Sequence, residues 1–326
     1  GRLLLLLCAA SFLLSLLLGV SYWTSRRRAL MEARSKAEGE AVRAAKVIDS
    51  ELSRLPVVVR AVAEDLSSGR VGKSALDERL KRAVDTAPQI FGIGAAYAPR
   101  AYDPELRLHA PYYRRRDGPT ELIQLDSLYD YTEGNHEWYA TPLKSGPSWS
   151  EPAITDESPA PLVKFSAPFT QTLPDGSRGT AGVIHGTMSL SEIDALIRSL
   201  DLGEYGYGFL ISRKGFVISH PFADQYAGGV AVFESDSKSD AARRMFDATR
   251  GHAKEVVVDA IDPVTGEPSW VFTEPVPSTG WTVGVVFFNK EITHDVGFRR
   301  HEIRLTLAGL LLACLLLATF LRTRYQ

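Results

Sequence analysis

The sequence predicts an α+β chain: two tandem sheet-bearing modules behind one long helix, the whole flanked by two apolar helices. Three observations predict it. Uncharged runs of near membrane-spanning length stand at both ends, residues 3–23 and 305–321. A stripe of small and apolar residues in steps of three and four follows the first run, as a helix with one buried face requires. Short β-like runs separated by turn residues then fill the remainder, on either side of a break near residues 201–205. The 326 residues, 45% hydrophobic and 23% charged, allow roughly two folded domains and exclude a disordered or low-complexity chain.

Residues 3–23 read LLLLLCAASFLLSLLLGVSYW, then Arg26, Arg27 and Arg28 follow. Tyr22 and Trp23 suit the membrane interface, and the run is longer than the ~7–15-residue apolar core of a signal peptide. No A-x-A-like cleavage site follows, so an uncleaved anchor is expected. Residues 305–321, between Arg304 and Arg322, predict a second and slightly short span. Both cysteines, Cys8 and Cys314, fall inside these runs, so the region between can form no disulfide and no thiolate metal site.

Flanking arginines at 26–28, 299, 300 and 304 by themselves favour a cytoplasmic loop. Long loops translocate largely regardless of flanking charge, and the absent initiator Met is read as missing cytoplasmic sequence. The expectation is therefore a two-pass inner-membrane protein with residues 24–304 periplasmic or extracellular. With Arg2, Arg322 and Arg324 set aside, 34 basic residues face 39 acidic ones, which gives no electrostatic reason to bind nucleic acid.

The helical stripe runs from Leu30 through Ala37, Ala44 and Leu52 to Leu66, predicting a long signalling helix over 27–68 of ~60 Å, kinked at Pro56. Its Ala-rich face suits intrachain packing and a parallel homodimer equally. The first module, 69–202, is predicted to hold a helix at 73–86, strands at 90–97, 106–113, 162–169 and 180–190, a turn at Pro174-Asp175-Gly176, and a helix at 191–200 begun by Ser191 and Asp194. The second module, 203–290, is predicted to hold strands at 206–212 and 216–219 around the turn Arg213-Lys214-Gly215. A short helix at 240–249 and strands at 254–260, 270–276 and 281–289 follow. A linker helix, 291–304, leads into the second span.

No nucleophile elbow, Walker loop, H-E-x-x-H or dinucleotide-binding glycine pattern is present, and the seven histidines show no metal-ligand spacing. No catalytic residue, cofactor or metal is expected. The distinctive stretch is 129–169, where Tyr129, Tyr131, Trp138, Tyr139 and Trp149 stand among six prolines, with Glu151, Asp156 and Lys164 the charged residues of note. Aromatic walls on a proline-stiffened segment before a strand pair suit a small-molecule pocket. The same aromatics would also serve as the core. A membrane-anchored hydrolase would need a nucleophile–base pair, and candidates such as Ser166 with His185 have no supporting motif. His220, in Ser219-His220-Pro221, suits a strand end better than a ligand site.

The segments DYTEGNHEWYATPLKSGPSWSEPAITDES, LVKFSAPF and GTAGVIHGTMSLSEIDALI resemble the membrane-distal half of a double Cache (dCache) sensor region, and YGYGFLISRKGFVISHP and STGWTVGVVFFNKEI resemble its membrane-proximal half. The resemblance implies two tandem PAS-like (Cache) modules on a long N-terminal helix, in a bacterial receptor that binds a small ligand in the distal module. It also implies an output domain outside this chain, of chemoreceptor, histidine kinase, cyclase or PPM-type serine phosphatase class. Trp138 and Tyr139 match the Trp-Tyr pair of amino-acid-binding members. His136 stands where those members carry a carboxylate-gripping Arg, and Thr187 where they carry an ammonium-gripping Asp, which puts amino-acid specificity in doubt. The alternative is a ligand-independent membrane-anchored scaffold.

Overall fold

The structure, a computed structural model, describes residues 2–115, 118–134, 136–155, 158–200, 202, 206–221, 255–262, 265–288 and 300–325. Helix α1 (Arg2–Leu52) runs unbroken from the first apolar run into the stripe, and α2 (Arg54–Ser67) continues it. Pro56 has no N–H to offer the carbonyl of Leu52, and the interruption falls there, at Ser53. The break is slight: Ser53 keeps a helical φ of −62° and ψ of −17°.

A short 3₁₀ turn, Lys73–Ala75, leads into α3 (Leu76–Thr86). The first sheet then forms from β1 (Gly92–Tyr97), β2 (Pro111–Arg114), β3 (Glu121–Gln124), β4 (Ser148–Trp149), β5 (Ala153–Thr155), β6 (Ser158–Thr172) and β7 (Arg178–Ser189). Its order is β3-β2-β1-β7-β6-β4, with β5 also beside β6, antiparallel throughout. Helix α4 (Glu137–Ser145) lies between β3 and β4 in sequence, and α5 (Ser191–Arg198) follows β7. The second sheet comprises β8 (Gly206–Ile211), β9 (Val217–Ser219), β10 (Glu255–Ile261), β11 (Pro268–Val276) and β12 (Trp281–Phe288), in the order β10-β11-β12-β8-β9. Helix α6 (Arg300–Tyr325) ends the described chain.

The two sheets share one helical spine. Leu55, Val59, Val62 and Leu66 of α2 are buried against β6 and β7. Gly186 of β7 permits this close approach, because a Cβ there would stand 2.6 Å from Val59 and 2.7 Å from Leu55. Each such apolar side chain contributes roughly 1.5–3 kcal/mol by leaving water, so a charge at Val59 would break the spine from its sheet. Ala37 and Ala41 of α1 pack in the same way with Phe272, Val285 and Phe287 of the second sheet. The Ala-rich stripe is thus intrachain core, and it no longer argues for a dimer.

At the other end of α1, Ser11 donates its hydroxyl proton to the Gly309 carbonyl of α6 at 2.8 Å. Leu13, Leu17, Leu312 and Leu315 stand exposed on the outside of this pair. Among the described residues no helix is long and apolar enough to cross a membrane. That finding leaves the two expected spans without structural confirmation; the side chains at 3–5, 7 and 8 of the first lie outside the described residues.

Several expected elements shift. The strand expected at 106–113 is confined to β2, and Leu106 makes only an isolated bridge to Asp103. Helix α5 forms, but its N-cap is Leu190 with no side-chain cap, and Asp194 instead accepts from Ser219 and pairs with Arg198. The expected helix at 240–249, most of the linker helix and four of the five break residues lie outside the described residues.

Candidate functional site: a polar sheet face beneath α4

Strand register sorts the first sheet into two faces. Ile93, Ala95, Phe165, Ala167 and Ile184 belong to the core shared with α2. The residues that alternate with them face away from the spine. Thr187 lies opposite Lys164 and Gly92, and His185 opposite Ser166 and Gly94, with Tyr112 beyond Gly94. Four of the expected site residues, Lys164, Ser166, His185 and Thr187, therefore share one face.

Two glycines make room there. A Cβ on Gly92 would stand 2.2 Å from the Tyr112 hydroxyl, and one on Gly94 would stand 2.7 Å from His185 Nε2. Across them lies the Tyr112 ring, stacked on His185 at 5.3 Å between centroids, with its hydroxyl donating to Thr187 at 3.0 Å.

Helix α4 roofs this face. It forms within the proline-rich stretch: Pro142 sits inside α4 and Gly146 closes it at a φ of 80°. On α4, Trp138 lies 4.5 Å from the His185 ring, and Lys164 Nζ lies 5.4 Å over the Trp138 ring. Tyr139 and Tyr131 pack edge to face at 4.9 Å, and the Tyr131 hydroxyl donates to the Tyr97 carbonyl at 2.7 Å. Tyr131 is in this respect a core residue, whereas Trp138 touches the polar face directly. Burial pushes the Tyr139 hydroxyl up to about 12.

The electrostatics of the face are set by burial. His185 is 1% exposed, and desolvation, reinforced by the Lys164 ammonium, pushes it well below the ordinary imidazole value. The ring is neutral at neutral pH and carries one donor and one acceptor. Neither of its nitrogens finds a hydrogen-bond partner, nor does the buried Ser166 hydroxyl. Each such orphan costs about 1–3 kcal/mol. Ser166 and His185 are neighbours without a hydrogen bond to each other, so the nucleophile–base contact a hydrolase needs is not formed.

The remaining expected residues lie elsewhere. Trp149 pairs with Phe165 and packs on its ring at 5.2 Å, on the α2 side of the sheet. Glu151 follows it by two residues, with a buried Oε2 that accepts no bond. His136 is the N-cap of α4 and leans on Tyr129 at 4.9 Å, away from the centre of the face. Asp156 lies outside the described residues. Sequence reasoning missed Tyr112, Gly92 and Gly94; the glycines at alternating positions in GIGAAY were the signal that a ring crosses this strand. Among the described residues no cluster of His, Cys, Asp and Glu could hold a metal.

Residues 76–195 match the family model of the methyl-accepting chemotaxis protein-like, first PDC sensor domain. The methyl-accepting chemotaxis protein PctB of Pseudomonas aeruginosa is 31% identical over a match covering 32% of this chain and 18% of that receptor. The chain thus spans under a fifth of that relative. Among solved structures, the extracellular domain named for the histidine kinase mmHK1S-Z2 superposes with a TM-score of 0.66 at 21% identity, covering 80% of this chain and 98% of that one. The ligand-binding domain of Mlp24, solved with asparagine, gives 0.54 at 16% identity, covering 82% and 99%. Residues 76–195 are accordingly a PDC (Cache) sensor domain of the chemotaxis-receptor type, in a chain with the fold of such sensor regions.

Proposed function

We propose that the chain is the sensor region of a bacterial membrane receptor, which binds a small organic molecule between α4 and the outer face of the first sheet. The observation that carries this reading is the set of buried polar atoms without partners, His185 Nδ1 and Nε2 and Ser166 Oγ, beneath Trp138. A self-sufficient scaffold would satisfy those atoms internally or replace them with apolar groups. The relatives support the reading, since one was solved with asparagine in its ligand-binding domain.

In this reading residues 69–202 form the membrane-distal Cache module and 203–290 the membrane-proximal one. Tyr129, Tyr131, His136 and Tyr139 join the sheet face as the candidate ligand-binding set, with Trp138, Lys164, Ser166, His185 and Thr187 at its centre; Trp149 and Glu151, on the α2 side of the sheet, are not part of it. The exposed leucines of α1 and α6 and the flanking arginines support a two-pass placement in the inner membrane, with 24–304 outside the cytoplasm. A parallel homodimer and a cytoplasmic output domain complete the assembly. Ligand capture beneath α4 would shift a two-state arrangement of the spine, for which a coupling of ~1–3 kcal/mol is enough.

Thermal unfolding of the full chain in detergent against a metabolite library tests this. A ligand at about 100 Kd should add about 2.7 kcal/mol of stability, and Trp138→Ala should remove the response. A library without a stabilising compound, or a response that survives Trp138→Ala unchanged, defeats the reading.

A further inference from the structure

The face beneath α4 carries two cations and, among the described residues, no carboxylate without a partner. Ser166 offers a hydroxyl without a protein partner, and neutral His185 offers one N–H against one bare nitrogen. Lys164 holds its ammonium over Trp138, and Arg114 shares the face on β2, opposite Gly92. Both cations have contacts of their own. Arg114 gives Glu121 one of the five N–H donors of its guanidinium.

Carboxylates are accounted for differently. Register places Glu121 on this face at the sheet edge, where Arg114 holds it at 2.6 Å. Glu137, beside Trp138, is drawn away to Lys214 at 2.8 Å, and Asp130 is held by Arg107 and Thr132. Glu151 follows Trp149 by two residues on an edge whose ladder continues from Ser150 N–H to the Lys164 carbonyl at 2.8 Å, so alternation sends it with Trp149 to the α2 side. Among the described residues, an incoming ammonium would meet one bare imidazole nitrogen, the Ser166 Oγ and the like charge of Lys164, with no carboxylate on this face free of a partner.

We propose, resting on the pocket reading above, that the ligand is a small organic carboxylate without an amino group, its oxygens against Ser166 and His185 and its carbon skeleton against Trp138. A carboxylate supplies acceptors only, which is what this donor set lacks. The amine counterpart is disfavoured because its charge is buried beside the Lys164 ammonium without a carboxylate to pair with.

Matched probes on the full chain in detergent test this: propionate, alanine and ethylamine; succinate and aspartate; hydrocinnamate, phenylalanine and phenethylamine. At millimolar concentration at least one amino-free carboxylate should raise Tm, its amino counterpart binding at least about tenfold more weakly. Ser166→Ala should weaken that carboxylate by about the same factor without lowering Tm in its absence. An amino acid or amine that binds as tightly as the matched carboxylate overturns the proposal, and the pocket reading then stands if Trp138→Ala abolishes that binding. Silence from all three sets also overturns the proposal. A carboxylate response indifferent to Trp138→Ala and Ser166→Ala overturns the pocket reading with it.

Discussion

The two sheets use the same device on their outer faces and finish it differently. In the first, Tyr112 lies across Gly92 and Gly94, and the polar groups beside it, His185 and Ser166, are left without partners. In the second, Phe209 lies across Gly284, so close that a Cβ there would stand 1.9 Å from the ring. The polar groups beside it are held: Tyr207 donates to the Asp262 carboxylate, which also accepts from the Thr265 N–H and hydroxyl. Phe209, Ile211, Val271 and Val286 complete a closed apolar cluster. In both sheets a ring fills the room its glycines leave, and the two differ in whether the neighbouring polar atoms find partners.

The largest effect that would sharpen this contrast is Phe209→Ala. The ring is fully buried, so its loss should cost about 3–5 kcal/mol in a urea titration, with the ligand response of the first sheet unchanged. A cost below about 1 kcal/mol would mean that Phe209 does not fill the second face.

A pH titration comes next. Burial pushes His220 down to about 4, with Arg198 adding to it and Asp262 opposing. Between that value and about 6.5 the unfolded chain binds more protons than the folded one, so stability is fully present above 6.5 and falls as pH drops through the window. The expected loss is on the order of 2–3 kcal/mol. His185 and His109 shift in the same direction, so part of the pH dependence should survive in His220→Gln. If His220→Gln leaves the curve unaltered, the second face is not closed as described.

Gly94→Ala should cost about 1–3 kcal/mol, because its Cβ would meet His185 Nε2 at 2.7 Å and the Pro111 carbonyl at 2.8 Å. It should weaken ligand binding out of proportion to that loss, measured by calorimetry on the folded protein. The smallest effect is Ser166→Ala, expected within about 1 kcal/mol of the parent and on the stable side, since an unpartnered buried hydroxyl is removed. A clear destabilisation would show that the hydroxyl is satisfied in the folded protein.

Much of this architecture was legible because apolar period tracks burial. The stripe from Ala37 to Leu66 and the strands β6, β7, β11 and β12 each bury a defined face, and their patterns say so. The strand β3, with only half-buried and exposed residues, carries no such pattern. Helix α4 was hidden by Pro142, which its short length and tertiary packing accommodate. The site was legible in its residue types but not in its membership. Trp149 and Trp138 look equivalent in sequence, yet Trp149 pairs with Phe165 and turns to the spine while Trp138 turns to His185. Which face a residue takes is set by its partner strand, and one sequence read alone does not contain that pairing.

The unbroken run of α1 also makes it a lever. Its fulcrum is the seat of Ala37 and Ala41 on the second sheet, and roughly 50 Å of helix separate Ala37 from Arg2 at 1.5 Å per residue. A tilt of only about 2° at that seat swings the far end by nearly ~2 Å, on the rigid-rod geometry of a helix. Amplification is therefore built into the length of the arm, and the displacement at the sheet itself can stay smaller than a bond.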